Sequence, residues 1–294
     1  MRRLLQFVAI LSALAGVGLT QSIPARAQDA PVIQKLTGNV YSIFSVFYSS
    51  LVVIGDDGVL ITDPANSYRA GLLKSEIAKL TDKPVTTIVL THEHFDHVGG
   101  TEVFAGAKIV AQQNVNAVFP FDPLGIAPKR VDVAFETEHT IDVGRTKVLL
   151  KHLGAGDGVA TTVVYLPAEG IVATADLYDE NQLTVGAFLD DKNMLGVRSI
   201  LNEVAKWDLK HAINAHSTGT DPKILRANAG YYNDLYDAVF PTVQKTATEN
   251  PAGLWDLPTS LSQSVALPKY KDWKNYDQLP HHVRRMVLAM IHGG

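Results

Sequence analysis

Val85-Thr86-Thr87-Ile88-Val89-Leu90 runs directly into Thr91-His92-Glu93-His94-Phe95-Asp96-His97, a short apolar, β-branched segment followed at once by three imidazoles and a carboxylate. An apolar run of this length reads as a buried strand. A loop at the end of such a strand holds side chains in fixed directions while leaving them at a rim. His92 and His94 are alternate residues and can point the same way to grip one ion. Asp96 and His97 stand one step further along and can grip a second. Three His and one Asp in six residues is a dense cluster for a chain with only 10 His. His and carboxylate clusters are the usual ligand set of zinc-like ions.

Strands are expected on both sides of this stretch. Val40–Phe44, Ser50–Ile54 and Gly58–Thr62 precede it, with Asp56-Asp57-Gly58 as a hairpin signal. Between them and Val85, residues 69–80 carry Leu72, Leu73, Ile77 and Leu80 at helical spacing. Downstream, a helix is expected to open at 99–104, and strands at 108–111, 147–152, 161–166 and 171–174. Pro167-Ala168-Glu169-Gly170 turns the last two into a hairpin. A helix over 195–207, a strand over 212–215 ending at His216, and a helix over 223–245 complete the core. Residues 246–294 are punctuated by Pro251, Pro258, Pro268 and Pro280, with a short helix near 283–291. Trp255, Trp273 and Tyr276 suit an extension packed on the domain.

The pattern His92-x-His94-x-Asp96-His97, followed by Gly99-Gly100, resembles the signature of the metallo-β-lactamase superfamily. The similarity extends from about residue 35 to about residue 220. It implies an α/β fold, an αβ/βα four-layer sandwich with the metals at one rim and a C-terminal extension outside the shared core. It also implies further site residues. Asp176 closes its strand as the family's metal-bridging carboxylate does, and His216 follows its strand as the last His ligand does. Asp63 matches an early acidic residue and is expected to bond loop amides rather than metal. Phe44, Phe47 and Tyr48 fall in a hairpin that overhangs the site in the family, and Phe119, Pro120, Phe121 and Pro123 mark a loop suited to another wall.

One position departs from the family pattern. A third His normally completes the first metal site from a Gly-rich turn, but Gly154-Ala155-Gly156-Asp157-Gly158 offers Asp157 there. In an antiparallel hairpin turning at 167–170, Asp176 faces roughly Thr161, which puts Asp157 just beyond the same rim. Alkyl-sulfatase-like members are similar in using a carboxylate. The extra negative charge is expected to weaken the metal as a Lewis acid. Asp157 is the favoured ligand, and His152, at a strand end five residues upstream, is its rival. Glu93 is expected to point away from its His neighbours. His139, His211, His281, His282 and His292 are assigned no role.

The wider composition bounds the function. The 294 residues are 46% apolar and 19% charged, carry a net charge of −4 and contain no cysteine. Thiolate ligands and Cys nucleophiles are therefore excluded, and no Gly-x-Ser-x-Gly elbow supports covalent Ser catalysis. No basic cluster suggests nucleic acid as a partner. Arg2-Arg3, the apolar run Leu4–Leu19 and Ala25-Arg26-Ala27 read as a signal peptide over 1–27, with a mature domain from 28 to 245 and an extension from 246 to 294. A periplasmic or secreted location without stable membrane insertion after cleavage is expected. The activity expected is metal-dependent hydrolysis of a small-molecule ester, lactone, lactam or thioester through a metal-activated hydroxide, with two zinc ions favoured and iron or manganese as rival metals. The ligands are His92, His94, Asp96, His97, Asp157, Asp176 and His216. Asp96 is expected to orient the nucleophile and pass its proton to the leaving group. Two other readings stand beside it: an iron-dependent redox protein, and a non-catalytic metal-binding member emptied at 157.

Overall fold

The computed structural model describes residues 30–293, so the leader expected over 1–27 lies outside the described residues. The chain opens with strands β1 (Val32–Thr37), β2 (Val40–Ser45), β3 (Tyr48–Ile54) and β4 (Val59–Thr62), followed by helix α1 (Ser67–Ala78) and strand β5 (Val85–Leu90). The short helix α2 (Phe95–Val98), strand β6 (Lys108–Gln112), helix α3 (Val115–Val118) and strand β7 (Val133–Phe135) come next. Strands β8 (Glu138–Val143), β9 (Thr146–Lys151), β10 (Val163–Leu166) and β11 (Ile171–Ala173) lead to helix α4 (Met194–Val204) and strand β12 (His211–Ile213). Helices α5 (Pro222–Glu249), α6 (Leu257–Ser264) and α7 (Leu279–His292) close the chain.

β1 to β7 form one sheet in chain order, and a second runs β12-β11-β10-β9-β8. Three packed layers of side chains join four layers of structure. Leu73 and Ile77 of α1 meet Ile61, Ile88 and Leu90 on the outer face of the first sheet. Val53, Leu60 and Val89 meet Leu150, Val164 and Ile213 between the sheets. Val163 and Val172 meet Val197, Leu201, Leu235 and Val283 beneath α4, α5 and α7. The second half of β5, Ile88 to Leu90, is thus buried on both faces, as its apolar residues imply, while Thr86 near its start is exposed. The four-layer sandwich expected from the sequence is the one observed.

Turn chemistry sets the registers. Asp56-Asp57-Gly58 pairs Ile54 with Val59, and Pro167–Gly170 pairs Leu166 with Ile171 antiparallel. β4 and β5 are parallel, as are β11 and β12. The ends of β5, β11 and β12 therefore gather at one rim, where β10 begins. Two backbone bonds cross that rim between the sheets, Thr162 N–H to Thr91 O at 2.7 Å and Ser49 N–H to Ala215 O at 2.7 Å.

Some local expectations are corrected. The helix expected at 99–104 is a single 3-10 turn over Thr101–Phe104, because Gly100 takes φ 79° and packs against Asn66. β1, β7 and β8 add to the expected strands. β8 is a sheet edge with alternating exposure, so the half-buried His139 and Ile141 and the buried Val143 are interleaved with exposed Glu138, Thr140 and Asp142. In the tail, Trp273 and Tyr276 pack against the helical core cluster, whereas Trp255 is 61% exposed. α5 runs through residue 245, and α7 buries Val283, Met286 and Val287 in the same cluster as α4 and α5. Each such side chain contributes about 1.5–3 kcal/mol on full burial. No helix among the described residues is long and apolar enough to cross a membrane.

Candidate metal centre

The site begins at the end of β5. Asp63, just past β4, accepts Thr91 N–H at 2.9 Å and the Thr91 hydroxyl at 2.6 Å. Its carboxylate is thereby used in holding the loop, as expected from the sequence. The Thr91 hydroxyl proton goes to Asp63, so His92 Nδ1, 3.1 Å away, donates to Thr91 Oγ1. That tautomer leaves His92 Nε2 with a lone pair in a buried position without a hydrogen-bond partner. Burial, reinforced by neighbouring His97, pushes His92 well below the usual imidazole range. At His216, Nδ1 donates to the Phe47 carbonyl at 2.8 Å, and Nε2 faces Asp176 Oδ2 at 3.0 Å. Two imidazoles are thus fixed from behind with the other nitrogen turned to the site, the usual support of a metal-binding His.

The predicted ligands converge. His92, His94 and Asp157 bring one ligand atom each within 4.8 Å of one another, and so do His92, His97 and Asp176. Asp157 Oδ2 lies 3.6 Å from both His92 Nε2 and His94 Nδ1. His97 Nε2 lies 3.2 Å from Asp176 Oδ2 and 3.4 Å from Asp96 Oδ2. His216 completes this second group through Asp176. Burial weighs against a charge on Asp176, but His97 and His216 outweigh it and hold the carboxyl well below its usual range. His92 Nε2, His97 Nε2, Asp157 Oδ1 and Asp176 Oδ1 are buried with no hydrogen-bond partner. Buried polar atoms left unpaired at this density are costly, and cations would satisfy them. The donor set fits divalent metal.

His152 takes no part in either group, because its Nδ1 bonds the Thr161 carbonyl at 2.8 Å. Asp157 is the residue placed with His92 and His94. Glu93 does point away from its neighbours, and it has a task there. Its carboxylate accepts Val159 N–H at 2.6 Å and Ala160 N–H at 3.0 Å, which clamps the turn carrying Asp157. The other side of that turn rests on α4. A Cβ at Gly196 would sit 1.7 Å from the Ala155 carbonyl oxygen, so only glycine permits this approach. Gly196→Ala is expected to cost about 1–3 kcal/mol and to displace Asp157. Thermal unfolding and zinc titration check this, and a variant matching the native protein in both would refute it.

Three residues near the site had no part in the sequence reading. Asp191 Oδ2 lies 3.4 Å from His94 Nε2, on the ring side away from Asp157. Lys192 Nζ lies 3.6 Å from Asp157 Oδ1 and also donates to the Asp176 carbonyl. Burial raises Asp157 to about 6 against the opposing pull of Lys192. Burial opposes the charge on Lys192, yet the neighbouring carboxylates, Asp157 foremost, hold it above its ordinary range. The third, Arg69, is fully buried beneath the β2–β3 hairpin. That hairpin turns on Val46 (φ 48°) and Phe47 (φ 74°), conformations that bulky residues rarely adopt. The strained tip presents Phe47, 68% exposed, over the metal groups.

A cavity of about 930 Å³ opens over both groups, walled by Phe47, Phe95, Val118, Val185 and Phe188, with Lys274 at its edge. The expected second wall is displaced. Phe119 and Pro120 line a separate pocket, and Phe121 is 81% exposed, so Val118 alone represents that segment.

Residues 45–178 match the family model of the metallo-beta-lactamase superfamily. That segment belongs to the superfamily. The match contains His92, His94, Asp96, His97, Asp157 and Asp176. The chain is also 23% identical over 220 residues to the 2,4-dinitroanisole O-demethylase subunit beta of Nocardioides sp. (strain JS1661), covering 72% of this chain and 68% of that one. It is 25% identical over 169 residues to the metallo-beta-lactamase type 2 of Elizabethkingia meningoseptica, covering 53% and 66%. The structure of the metallo-beta-lactamase FIM-1 from Pseudomonas aeruginosa in its mono-zinc form superposes with TM-score 0.60 at 20% identity, over 70% of this chain and 96% of that one. This likeness shows the shared metallo-beta-lactamase fold.

Proposed function

We propose that the protein is a metal-dependent hydrolase holding two divalent cations, zinc foremost, and acting on an ester, lactone, lactam or thioester. The observation that carries this reading is the pair of His/Asp groups sharing His92 at the floor of an aromatic-walled cavity. His92, His94 and Asp157 would hold one cation; Asp96, His97 and His216 would hold the other, with Asp176 between them. Such cations supply Lewis acidity, lowering the pKa of water toward neutrality and polarising a carbonyl. Asp96 receives the Tyr48 hydroxyl at 3.2 Å, which steadies one carboxylate oxygen and leaves the group free to orient water and carry a proton. Phe47, Phe95 and Phe188 suit the apolar part of a substrate, and the relative named for an aryl methyl ether makes aryl leaving groups worth including. The proposed setting, periplasm or exterior, rests on the leader pattern at 1–27.

Metal content measured beside hydrolysis of an ester, lactone, lactam, thioester and aryl-ether panel tests the reading. Two zinc ions per chain with turnover are expected. Two ions with no turnover on any member would overturn the hydrolase assignment. Bound iron would favour the redox reading, toward which three carboxylates among the ligands lean. Asp157→Ala is expected to lose one ion and roughly a hundredfold or more in turnover. Two retained ions in that variant would remove Asp157 from the ligand set.

A further inference from the structure

The first group holds a carboxylate where the family pattern places an imidazole, and a buried cation lies against it. We infer that Lys192 is the charge partner of Asp157, cancelling the extra negative charge so that the pair stands in for one neutral ligand. This rests on the reading of His92, His94 and Asp157 as an ion-holding group.

Asp157 divides its two oxygens between two tasks. Oδ2 faces His92 Nε2 and His94 Nδ1, each at 3.6 Å. Oδ1 faces the Lys192 ammonium at 3.6 Å. Lys192 is only 4% exposed. An ammonium that deep is tolerated when an opposite charge accompanies it. The backbone holds the two together: Asp157 and Lys192 form an isolated β-bridge, and Asn193 N–H donates to the Gly156 carbonyl at 2.8 Å. Arg285 of α7 donates to the Lys192 carbonyl at 2.9 Å, so the C-terminal helix braces the same segment. With Asp157 at −1 and Lys192 at +1, the pair contributes no net charge at the first site. The loss of Lewis acidity expected from a lone extra carboxylate is thereby offset.

Charge pairing has a signature that packing does not share: the effect of removing the lysine changes sign with the residue at position 157. The test compares native protein, Lys192→Met, Asp157→His and the double variant, reading unfolding temperature in chelator and zinc affinity by chelator competition. With Asp157 present, Lys192→Met leaves a buried carboxylate unpaired, and the metal-free unfolding temperature is expected to fall by several degrees. In the Asp157→His background the ammonium has lost its partner, and removing it is expected to raise the unfolding temperature. Zinc affinity is expected to improve about tenfold or more on going from Asp157→His to the double variant, as relief of close cation repulsion requires.

Folding of the double variant where Lys192→Met alone fails to fold would support the inference by the same logic. A lower unfolding temperature in both backgrounds, with zinc affinity unchanged when the lysine is removed from the Asp157→His variant, would overturn it, as would failure of both Lys192→Met proteins to fold. Zinc-free native protein overturns this inference together with the proposed metal centre. Native zinc binding with no change of sign overturns the inference alone. Turnover is not among the readouts, so the search for a substrate does not bear on the result.

Discussion

Asp176→Ala is expected to reduce bound zinc from two ions to one or none and to lower turnover about a thousandfold or more. The carboxylate sits between His97 Nε2 at 3.2 Å and His216 Nε2 at 3.0 Å, at the closed end of β11. Without it the two imidazoles keep their positions, because His216 is held by the Phe47 carbonyl and His97 by its buried helical turn. What disappears is the anion that balances them and joins the two groups. Lewis-acid stabilisation amounts to several kcal/mol, and each 1.36 kcal/mol is tenfold in rate. Elemental analysis and steady-state kinetics on the same sample provide the check. Near-native turnover at full zinc content would remove Asp176 from the machinery. Asp176→Asn is expected to be as inactive, since it retains shape and loses charge.

Arg69→Met is expected to destabilise the protein by about 3–5 kcal/mol, the range for breaking a buried charge network by removing one partner. Arg69 has no exposed surface. Its guanidinium donates to Ser50 Oγ at 2.6 Å, to the Asp63 carbonyl at 3.0 Å, to the Ile43 carbonyl at 3.1 Å and to the Tyr48 carbonyl at 3.0 Å. Burial lowers its pKa to about 10, with Asp63 the main opposing influence, so it stays charged at neutral pH. Methionine would fill part of the volume while removing a donor from three carbonyls and from Ser50, and leaving the buried Asp63 carboxylate without its nearby cation. In a domain of this size the loss corresponds to a fall of roughly 10 °C in unfolding temperature. Because Arg69 also anchors both arms of the hairpin bearing Phe47 and Tyr48, KM is expected to rise in whatever folded protein remains. A change below about 1 kcal/mol would mean that the hairpin is held by its strand pairing instead.

The signals of the candidate metal site were legible because they are local. Alternation after a buried strand places His92 and His94 together, and the antiparallel arithmetic around Pro167–Gly170 brings Asp157 and Asp176 to one edge. Arg69 left a trace that a closer reading could have used. It stands four and eight residues before Leu73 and Ile77, on the buried stripe of α1, where a charge needs partners. Lys192 left none. Asp190-Asp191-Lys192 has the composition of a solvated turn, and the groups that meet the buried lysine, Asp157 and the Asp176 carbonyl, stand far from it in the chain.

By itself the sequence determined most strand and helix periods, the turn residues that set register, and the candidate ligand types, since each depends on neighbours a few positions apart. Tertiary structure alone tied His152 to the Thr161 carbonyl, gave Glu93 the turn it clamps, moved the aromatic wall from Phe119 to Phe188, and set a lysine against the Asp157 carboxylate. These are matters of which groups lose water together. Desolvation is settled by segments far apart in the chain, where spacing along the sequence carries no information.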